Sequence, residues 1–502
     1  MNHSRKRIVM LVQNGVVGDS RVQKEAEWAA EAGWDVVLLG RAPKKRAEEW
    51  TLGKATVRLV PVVGVLDRRR HEVRGGRLRS PLAYPPGPLE AHRRRQRRVW
   101  KAEIDQLRAR RAIEPSAALR LELFARRAHY AVVGAWVEAR CERSRRLRER
   151  RKHASGRIDR LSARAWRALL GDRAWRRLDP SLWELELAFG PVIDKLKPDL
   201  IHANDFQMLG VGARAKVRAL AAGRPCALVW DAHEFLQGMQ SWKPHPWWLP
   251  AQQAHEREYA PRADAVVTVS EPLADLLVDA YALPERPAVV MNAPDVRDAW
   301  EPAPSLREHC GIDRRTPLMV YSGAPLEQRG MHLMVEALPS LPEAHAAFVV
   351  SKPSWRYVKR IQERAAELGV ADRTHVLTYV PYRQIVPYLS EADVGVHPLR
   401  TGILNHEIAL SNKFFEYAHA RLPLVVSDVR TMAAAVRDFG HGEVFRSGDV
   451  EDFVRAAKAV LADPERYRAA YDGKVPLEEW TWGAQVAGLV ALYRRCLGGP
   501  DD

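Results

Sequence analysis

The sequence predicts an α/β protein of two doubly wound, parallel-sheet domains, the first interrupted by a basic helical insertion. Three observations carry this prediction. At 502 residues the chain exceeds what one ordinary hydrophobic core supports. Short apolar runs alternate with helix-length segments in two separate blocks, the pattern of parallel strands joined by crossover helices. Residues 61–180 hold 33 lysines and arginines against 13 acids, while the whole chain carries a net charge of +17, so the remainder is slightly acidic.

The first 60 residues read as β-α-β. Arg7 to Val12 is an apolar run of the buried parallel-strand type. A turn with Gly15 and Gly18 follows, then a helix from about Ser20 with Val22, Ala26, Ala29 and Ala30 on one face and Gly33 ending it. Trp34 to Leu39 and Thr56 to Val63 are the next strands. From about 66 to 182 the alternation stops. This stretch is arginine-rich and helix-forming, with an irregular connection at Pro81 to Pro88 and apolar Leu119, Leu121, Leu123, Phe124 and Tyr130. The rhythm resumes with strands at Leu200–His202, Ala227–Trp230, Ala265–Val269 and Ala288–Met291. After a linker at Pro294 to Pro304 come strands near Leu318–Tyr321, Ala347–Val350, Thr374–Leu377, Val394–His397 and Leu424–Val426. Helices at His332–Leu338, Tyr357–Leu368 and Val450–Leu461 separate them. The expected domains are 1–293, with the insertion at about 66–182, then 294–480, and a final helix at 481–502.

Composition narrows the class. Cys141, Cys226, Cys310 and Cys496 lie far apart with no CxxC spacing, which argues against a disulfide framework and against zinc. The apolar run after Arg5-Lys6-Arg7 is too short for a signal peptide, and no stretch reaches the length of a membrane span. The expectation is a cytoplasmic protein, soluble or peripheral at the inner face of a membrane.

In open α/β sheets ligands bind beyond the carboxyl ends of the strands, so the loops after strands hold the candidates. Gly15 and Gly18 permit close backbone approach of an anion, or simply make a tight turn. His202, Asn204 and Asp205 follow one strand; they are placed to hold sugar or phosphate groups, with a helix cap at Asp205 as the alternative. Asp231, His233 and Glu234 follow the next, and a histidine beside two carboxylates suits a tuned general base. No helix-borne metal spacing such as HExxH occurs, so no metal is expected. After Gly323, Arg329 suits a bidentate phosphate contact. A helix starting near Ser411 buries Phe414, Ala418 and Leu422, and presents Asn412 and Lys413 to an anion. On it Glu416 is set to accept from two ribose hydroxyls.

In this order and spacing the motifs resemble glycosyltransferase family 4, retaining enzymes of the GT-B fold. The resemblance rests on Asp19-Ser-Arg21-Val22 with Lys24-Glu25-Ala26, on His202 to Asp205, Asp231 to Glu234 and Ala263 to Ser270. It continues through Gly323 with Arg329-Gly330, Asn412-Lys413 with Glu416-Tyr417, and the Trp480 to Tyr493 ending. It implies a sugar transferred from a nucleotide-diphosphate sugar to a glycan or lipid-linked acceptor, with retention, as in polysaccharide biosynthesis. Donor contacts would come from Gly15, Gly18, Gly323, Arg329, Glu407, Asn412, Lys413 and Glu416. His202, Asp205, His233 and Glu234 would serve catalysis, and Asn204 and Asp231 the acceptor side. The family's first glutamate, eight residues before Glu416, is replaced by Ile408 with Glu407 adjacent. Ala324 stands where an arginine is usual, and Arg421 where a helix-ending glycine is common. Alternatives are an epimerase of the same fold and a non-catalytic scaffold. For the insertion, arginine-rich helices with Trp100, Trp136, Trp166 and Trp175 suit an anionic membrane face. A solvated or partner-binding face and nucleic acid are the alternatives.

Overall fold

The computed structural model describes residues 5–43, 46–63, 82–84, 88–113, 115–152, 157–241, 245–297, 300–408 and 410–498. The start of the insertion and half of the Pro81 to Pro88 connection lie outside these residues. The chain divides into two compact units: Met1–Val62, Leu187–Gln240 and His255–Asp502 in one, Val63–Glu186 and Ser241–Ala254 in the other.

The first unit contains two sheets. One has eight strands: β1 (Arg7–Leu11), β2 (Asp35–Arg41), β3 (Glu48–Leu52), β4 (Ala55–Val60), β5 (Leu200–Asn204), β6 (Ala227–Ala232), β7 (Ala265–Thr268) and β8 (Ala288–Val289). Their order is β3-β4-β2-β1-β5-β6-β7-β8, parallel except for the antiparallel β3. The other sheet has β9 (Leu318–Gly323), β10 (His345–Val350), β11 (Thr374–Thr378), β12 (Val394–His397), β13 (Leu424–Ser427) and β14 (Gly442–Phe445) in the order β11-β10-β9-β12-β13-β14, all parallel.

Both orders reverse direction in the middle, at β1/β5 and at β9/β12. Crossover helices leave to opposite faces there, so the loops beyond those strand ends part and open a crevice. Chain geometry therefore fixes the site to the segments after Leu11, Asn204, Gly323 and His397. The sequence reading lacked β3 and β14. β3 is an exposed edge strand with a polar Glu-Glu start, and β14 is a four-residue strand whose interior is only half-buried.

The helix Ser20–Glu31 buries Val22, Ala26, Ala29 and Ala30 against the first sheet. Arg21, Lys24, Glu25 and Glu27 on its other sides are buried too, which amphipathic patterning alone does not anticipate. Near the end of the chain Trp480 lies in the core of the second sheet, and two residues later Trp482 lies in that of the first. The helix Trp482–Leu497 then packs Val486, Leu489, Leu492 and Tyr493 against the first sheet.

The second unit is helical, with Pro88–Ile113, Ala117–His129, Ala135–Lys152 and Arg157–Leu170 as its long elements. It also takes in Ser241–Ala254, which the sequence reading left with the sheet domain. No described helix is long and apolar enough to cross a membrane.

Candidate active site

A cleft of about 840 Å³ opens between the two sheets of the first unit. From the first sheet it is lined by the loop after β1, including Asn14, Gly18 and Asp19, and by Gln23 and Glu27 of the following helix. From the second it is lined by Gly323, Tyr379 to Arg383, Asn412, Lys413 and Glu416. Asn14 shapes its loop by donating to Asp19 at 2.6 Å and accepting from the Val16 amide at 2.8 Å. Gly18 turns that loop with φ +88.

The floor on the second-sheet side is built around Lys413. Gly323, with φ +130, leaves room where a Cβ would sit 2.0 Å from Lys413 Cε. Only glycine lets the lysine lie across that strand end. Burial, and then the neighbouring charge of Arg329, lowers the Lys413 pKa to about 7. Glu416, one turn along the helix Asn412–His419, is 9% exposed, and burial raises its pKa. Its Oε2 is buried with no hydrogen-bond partner among the described residues, as is Arg329 Nε. A buried carboxylate oxygen of Glu416 and the buried Nε of half-buried Arg329, both with unmade hydrogen bonds, act on the same lysine; the arrangement matches a ligand bearing both hydroxyls and anionic oxygens.

Arg329 ends a short 3₁₀ turn, and the next helix begins at His332 rather than at Gly330. Gly330 has φ +68, and a Cβ there would meet the Pro398 carbonyl at 2.1 Å. Tyr417 locks the helix to β9 by accepting from the Ser322 amide at 2.9 Å. Arg421, where glycine is common in such helices, adopts φ +53.

On the first-sheet side a buried polar network stands behind the cleft. Arg21 donates from Nε to Asp231 Oδ2 at 2.7 Å, from Nη2 to Oδ1 at 2.9 Å, and from Nη1 to the Val290 carbonyl at 2.7 Å. Its Nε also lies 3.0 Å from Glu25. Burial opposes the Asp231 charge, but Arg21 and then His233 hold its pKa well below the usual carboxylate range. Burial, and then Asp231, pushes the Glu25 pKa well above that range, against the lowering charge of Arg21. His233 bridges two acids, Nε2 to Asp231 at 3.0 Å and Nδ1 to Asp205 at 3.2 Å. Burial disfavours its charge, yet Asp205 and Asp231 raise its pKa well above normal. Glu234, beside it, is lifted to about 7 by burial and then Asp205.

Several sequence expectations require correction. His202 is fully buried and shares a 2.7 Å hydrogen bond with Tyr493, so it cannot touch a substrate and acts behind the site. Asp231 is likewise enclosed, saturated by Arg21 and His233, which removes it from the acceptor side. Asn204 is buried as well. Asp205 does not cap its helix: it is the first helical residue, with a strained φ of +61, and its carboxylate turns to His233. Glu407 does not line the cleft. Its carboxylate accepts from the Gly402 amide at 3.0 Å and the Arg430 amide at 2.8 Å, capping the helix Arg430–Phe439. Gly15 packs near Pro43 and also stays off the cleft wall. The residues brought together are therefore Gly18, Gly323, Asn412, Lys413 and Glu416 in the cleft, with Arg329 acting on Lys413, and His233, Asp205 and Glu234 as a second cluster.

Arg21, Lys24 and Glu27 were not anticipated as site residues. Lys24 donates to Asn292 at 2.8 Å and to the Ala293 carbonyl, lies 4.4 Å from the Trp482 ring centroid, and is close enough to Glu416 to feel its charge. Glu27 accepts from Tyr382 at 3.2 Å and from Arg383 at 3.3 Å across the cleft. Glu25, His202 and Asp231 stand close enough for a metal-ligand trio. The Arg21 guanidinium, however, already supplies the positive charge between the two carboxylates.

A family model described as Glycosyltransferase Family 4 matches residues 142–297, and one described as Glycosyl transferases group 1 matches 303–473. The chain belongs to glycosyltransferase family 4. It is 26% identical over 328 residues to a GDP-mannose-dependent alpha-(1-6)-phosphatidylinositol monomannoside mannosyltransferase of Mycolicibacterium smegmatis, covering 61% of this chain and 81% of that one. It is 26% identical over 249 residues to a D-inositol 3-phosphate glycosyltransferase of Xylanimonas cellulosilytica, covering 47% and 58% of the two chains. Thus it spans just over half the length of that second relative. Among solved structures, the sucrose-phosphate synthase of Thermosynechococcus elongatus shares the fold, with a TM-score of 0.63 at 16% identity over 98% of this chain and all of that one. The protein is a glycosyltransferase with the GT-B fold: two parallel-sheet α/β domains. That is the fold class the motifs resembled.

Proposed function

We propose that the enzyme transfers a hexosyl unit from a nucleoside-diphosphate sugar to a hydroxyl of a lipid-linked, glycan or polyol acceptor, with retention of anomeric configuration. The observation that carries this is the unpartnered Glu416 carboxylate beside Lys413 in the cleft, one turn into a helix whose amino end faces the same space. A carboxylate that accepts from both hydroxyls of a ribose makes two charge-assisted bonds at once. Lys413, Arg329 and the free amides at the start of the helix supply positive charge for the diphosphate.

In this reading the bond between the sugar C1 and the phosphate oxygen breaks while the acceptor oxygen bonds C1 on the same face. The acceptor proton passes to the departing phosphate oxygen. The residues then act by positioning and by stabilising charge on the leaving group. His233, with one ring nitrogen toward Asp231 and the other toward Asp205, serves to hold Asp205 in place, and Glu234 suits the acceptor side. Arg329 and Lys413 supply cationic charge beside the diphosphate from the chain itself, which supports a metal-independent reaction. The relatives named for GDP-mannose and inositol phosphate support a hexose donor and a polyol or phospholipid acceptor.

The test is incubation with UDP- and GDP-hexoses and with inositol phosphate or phosphatidylinositol as acceptor, reading products by mass and anomeric configuration by proton coupling constants. Transfer that requires acceptor, giving an α product from an α donor, is expected. Donor epimerised without acceptor, or an inverted product, overturns the reading.

A further inference from the structure

We infer that the helical unit binds anionic lipid bilayers through exposed apolar stripes on the helix Ala117–His129, continued by Val132 and Trp136, and on the helix Arg157–Leu170. Nothing in this inference depends on the donor reading.

The first observation is concentration. Of the seventeen large apolar side chains exposed among the described residues, twelve lie within Val63–Glu186. Scattered single exposed apolar residues are ordinary, but a cluster on one small unit asks for a partner.

The second observation is geometry. On Ala117–His129 the inward face is Leu119 and Leu123, both buried, whereas Leu121 and Phe124 are each 71% exposed. At 100° per residue, Leu121 and Phe124 point roughly opposite to Leu119. Val132 at 72% and Trp136 at 51% follow along the next helical segment, on the side away from buried Val137 and Cys141. The helix Arg157–Leu170 repeats the design. Leu161, Ala165, Ala168 and Leu169 follow i, i+4, i+7 and i+8, and all are exposed, while Ala163 on the other side is buried. An amphipathic helix whose apolar stripe faces solvent is inverted relative to a core-packing helix.

The third observation is the charge bordering those stripes. Arg157, Arg160, Arg164 and Arg167 recur at i, i+3, i+7 and i+10 and are all exposed, forming a row directly beside Leu161 and Ala168. Arg120 and Arg127 border Phe124 on one side and are exposed too. Apolar side chains beside a row of guanidinium groups complement an acyl layer beneath a phosphate layer. A nucleic acid would satisfy the arginines and leave Leu121, Val132, Leu161 and Leu169 in water, so its chemistry matches only half of the surface. Of the tryptophans noted in the sequence, Trp136 alone belongs to this surface. Trp175 is fully buried, and Trp100 and Trp166 are half-buried against His129 and Arg177.

The experiment is co-sedimentation of the full chain with vesicles of phosphatidylcholine alone and of phosphatidylcholine mixed with phosphatidylglycerol, at low and high salt. Two double variants accompany the wild type, Phe124→Ser with Trp136→Ser and Leu161→Ser with Leu169→Ser. All four sites are exposed, and an unchanged melting temperature verifies that folding is retained. The expected result is binding to the anionic vesicles only, weakened by salt, and reduced about tenfold or more in each double variant. Nucleoside-diphosphate binding stays unchanged in both variants. Absence of binding to the anionic vesicles overturns the inference, as do variants that bind like the wild type. Duplex nucleic acid bound in preference to the anionic vesicles also overturns it.

Discussion

Replacing Arg21 with methionine removes the cation at the centre of the buried network while keeping most of the side-chain volume. Arg21 is 2% exposed and makes three hydrogen bonds of 2.7 to 2.9 Å, two of them to Asp231, plus an ion-pair contact of 3.0 Å to Glu25. Glu25, whose pKa burial already raises, loses the neighbouring charge that lowers it. Asp231 keeps only His233 as a charged neighbour. Breaking a buried pair from one side costs about 3–5 kcal/mol. In a domain of about 150–250 residues each kcal/mol moves the melting temperature by roughly 2–4 °C, so a fall of at least about 6 °C is expected at pH 8. The pH dependence has a definite sign. Asp231 has a depressed folded pKa, so its ion pair stabilises above the unfolded value near 4 and is lost as pH falls through the folded value. In Arg21→Met that carboxyl titrates higher, so the gap from wild type should narrow between pH 8 and pH 5. Differential scanning calorimetry at both pH values reads this. A variant melting within about 1 °C of wild type at pH 8, or a gap that widens toward pH 5, refutes the reasoning.

Three further outcomes follow from the site. Lys413 has a pKa near 7 in the unliganded protein, and a bound diphosphate would raise it; nucleoside-diphosphate affinity should therefore fall above pH 7, with proton uptake visible as buffer-dependent binding heat in calorimetry. Gly323→Ala places a methyl 2.0 Å from Lys413 Cε at a φ of +130, and should weaken nucleotide binding more than about tenfold in the same titration. Glu407→Ala removes two bonds to backbone amides, and should cost about 1–3 kcal/mol by thermal melting while changing nucleotide affinity less than about twofold.

Most strands were legible because parallel strands buried on both faces read as continuous apolar runs, as at Leu200 to Ala203 or Leu424 to Val426. β3 was not, since an edge strand with exposed glutamates carries no such signal. The donor-side helix was legible for a related reason: Phe414 and Ala418 fix its buried face, and that in turn sets where Glu416 lies, although the helix ends at His419, before Leu422. The polar network was not. Arg21, Glu25 and Lys24 sit opposite an alanine-rich face and look solvated in the sequence. Their burial comes from partners more than 170 residues away, Asp231 and His202 on the first sheet and Ala293 beyond it. One clue was available: a helix that begins directly after the first strand-end loop has its first turns at the crevice, so charges there are candidates for the site. His202 was misassigned for the converse reason. Its strand-end position is right, but Tyr493, from a helix nearly 300 residues later, covers it.

The central claim is that Glu416 and Lys413 form a nucleoside-diphosphate site, and its most direct measurement is calorimetric titration of UDP, GDP and ADP into wild type and Glu416→Gln. The account predicts that one nucleotide binds the wild type in the micromolar range and that Glu416→Gln weakens it about 10- to 150-fold, the worth of about 1.5 to 3 kcal/mol of charge-assisted bonds to the ribose. Equal affinity in the variant, or no binding of any of the three by the wild type, would contradict it.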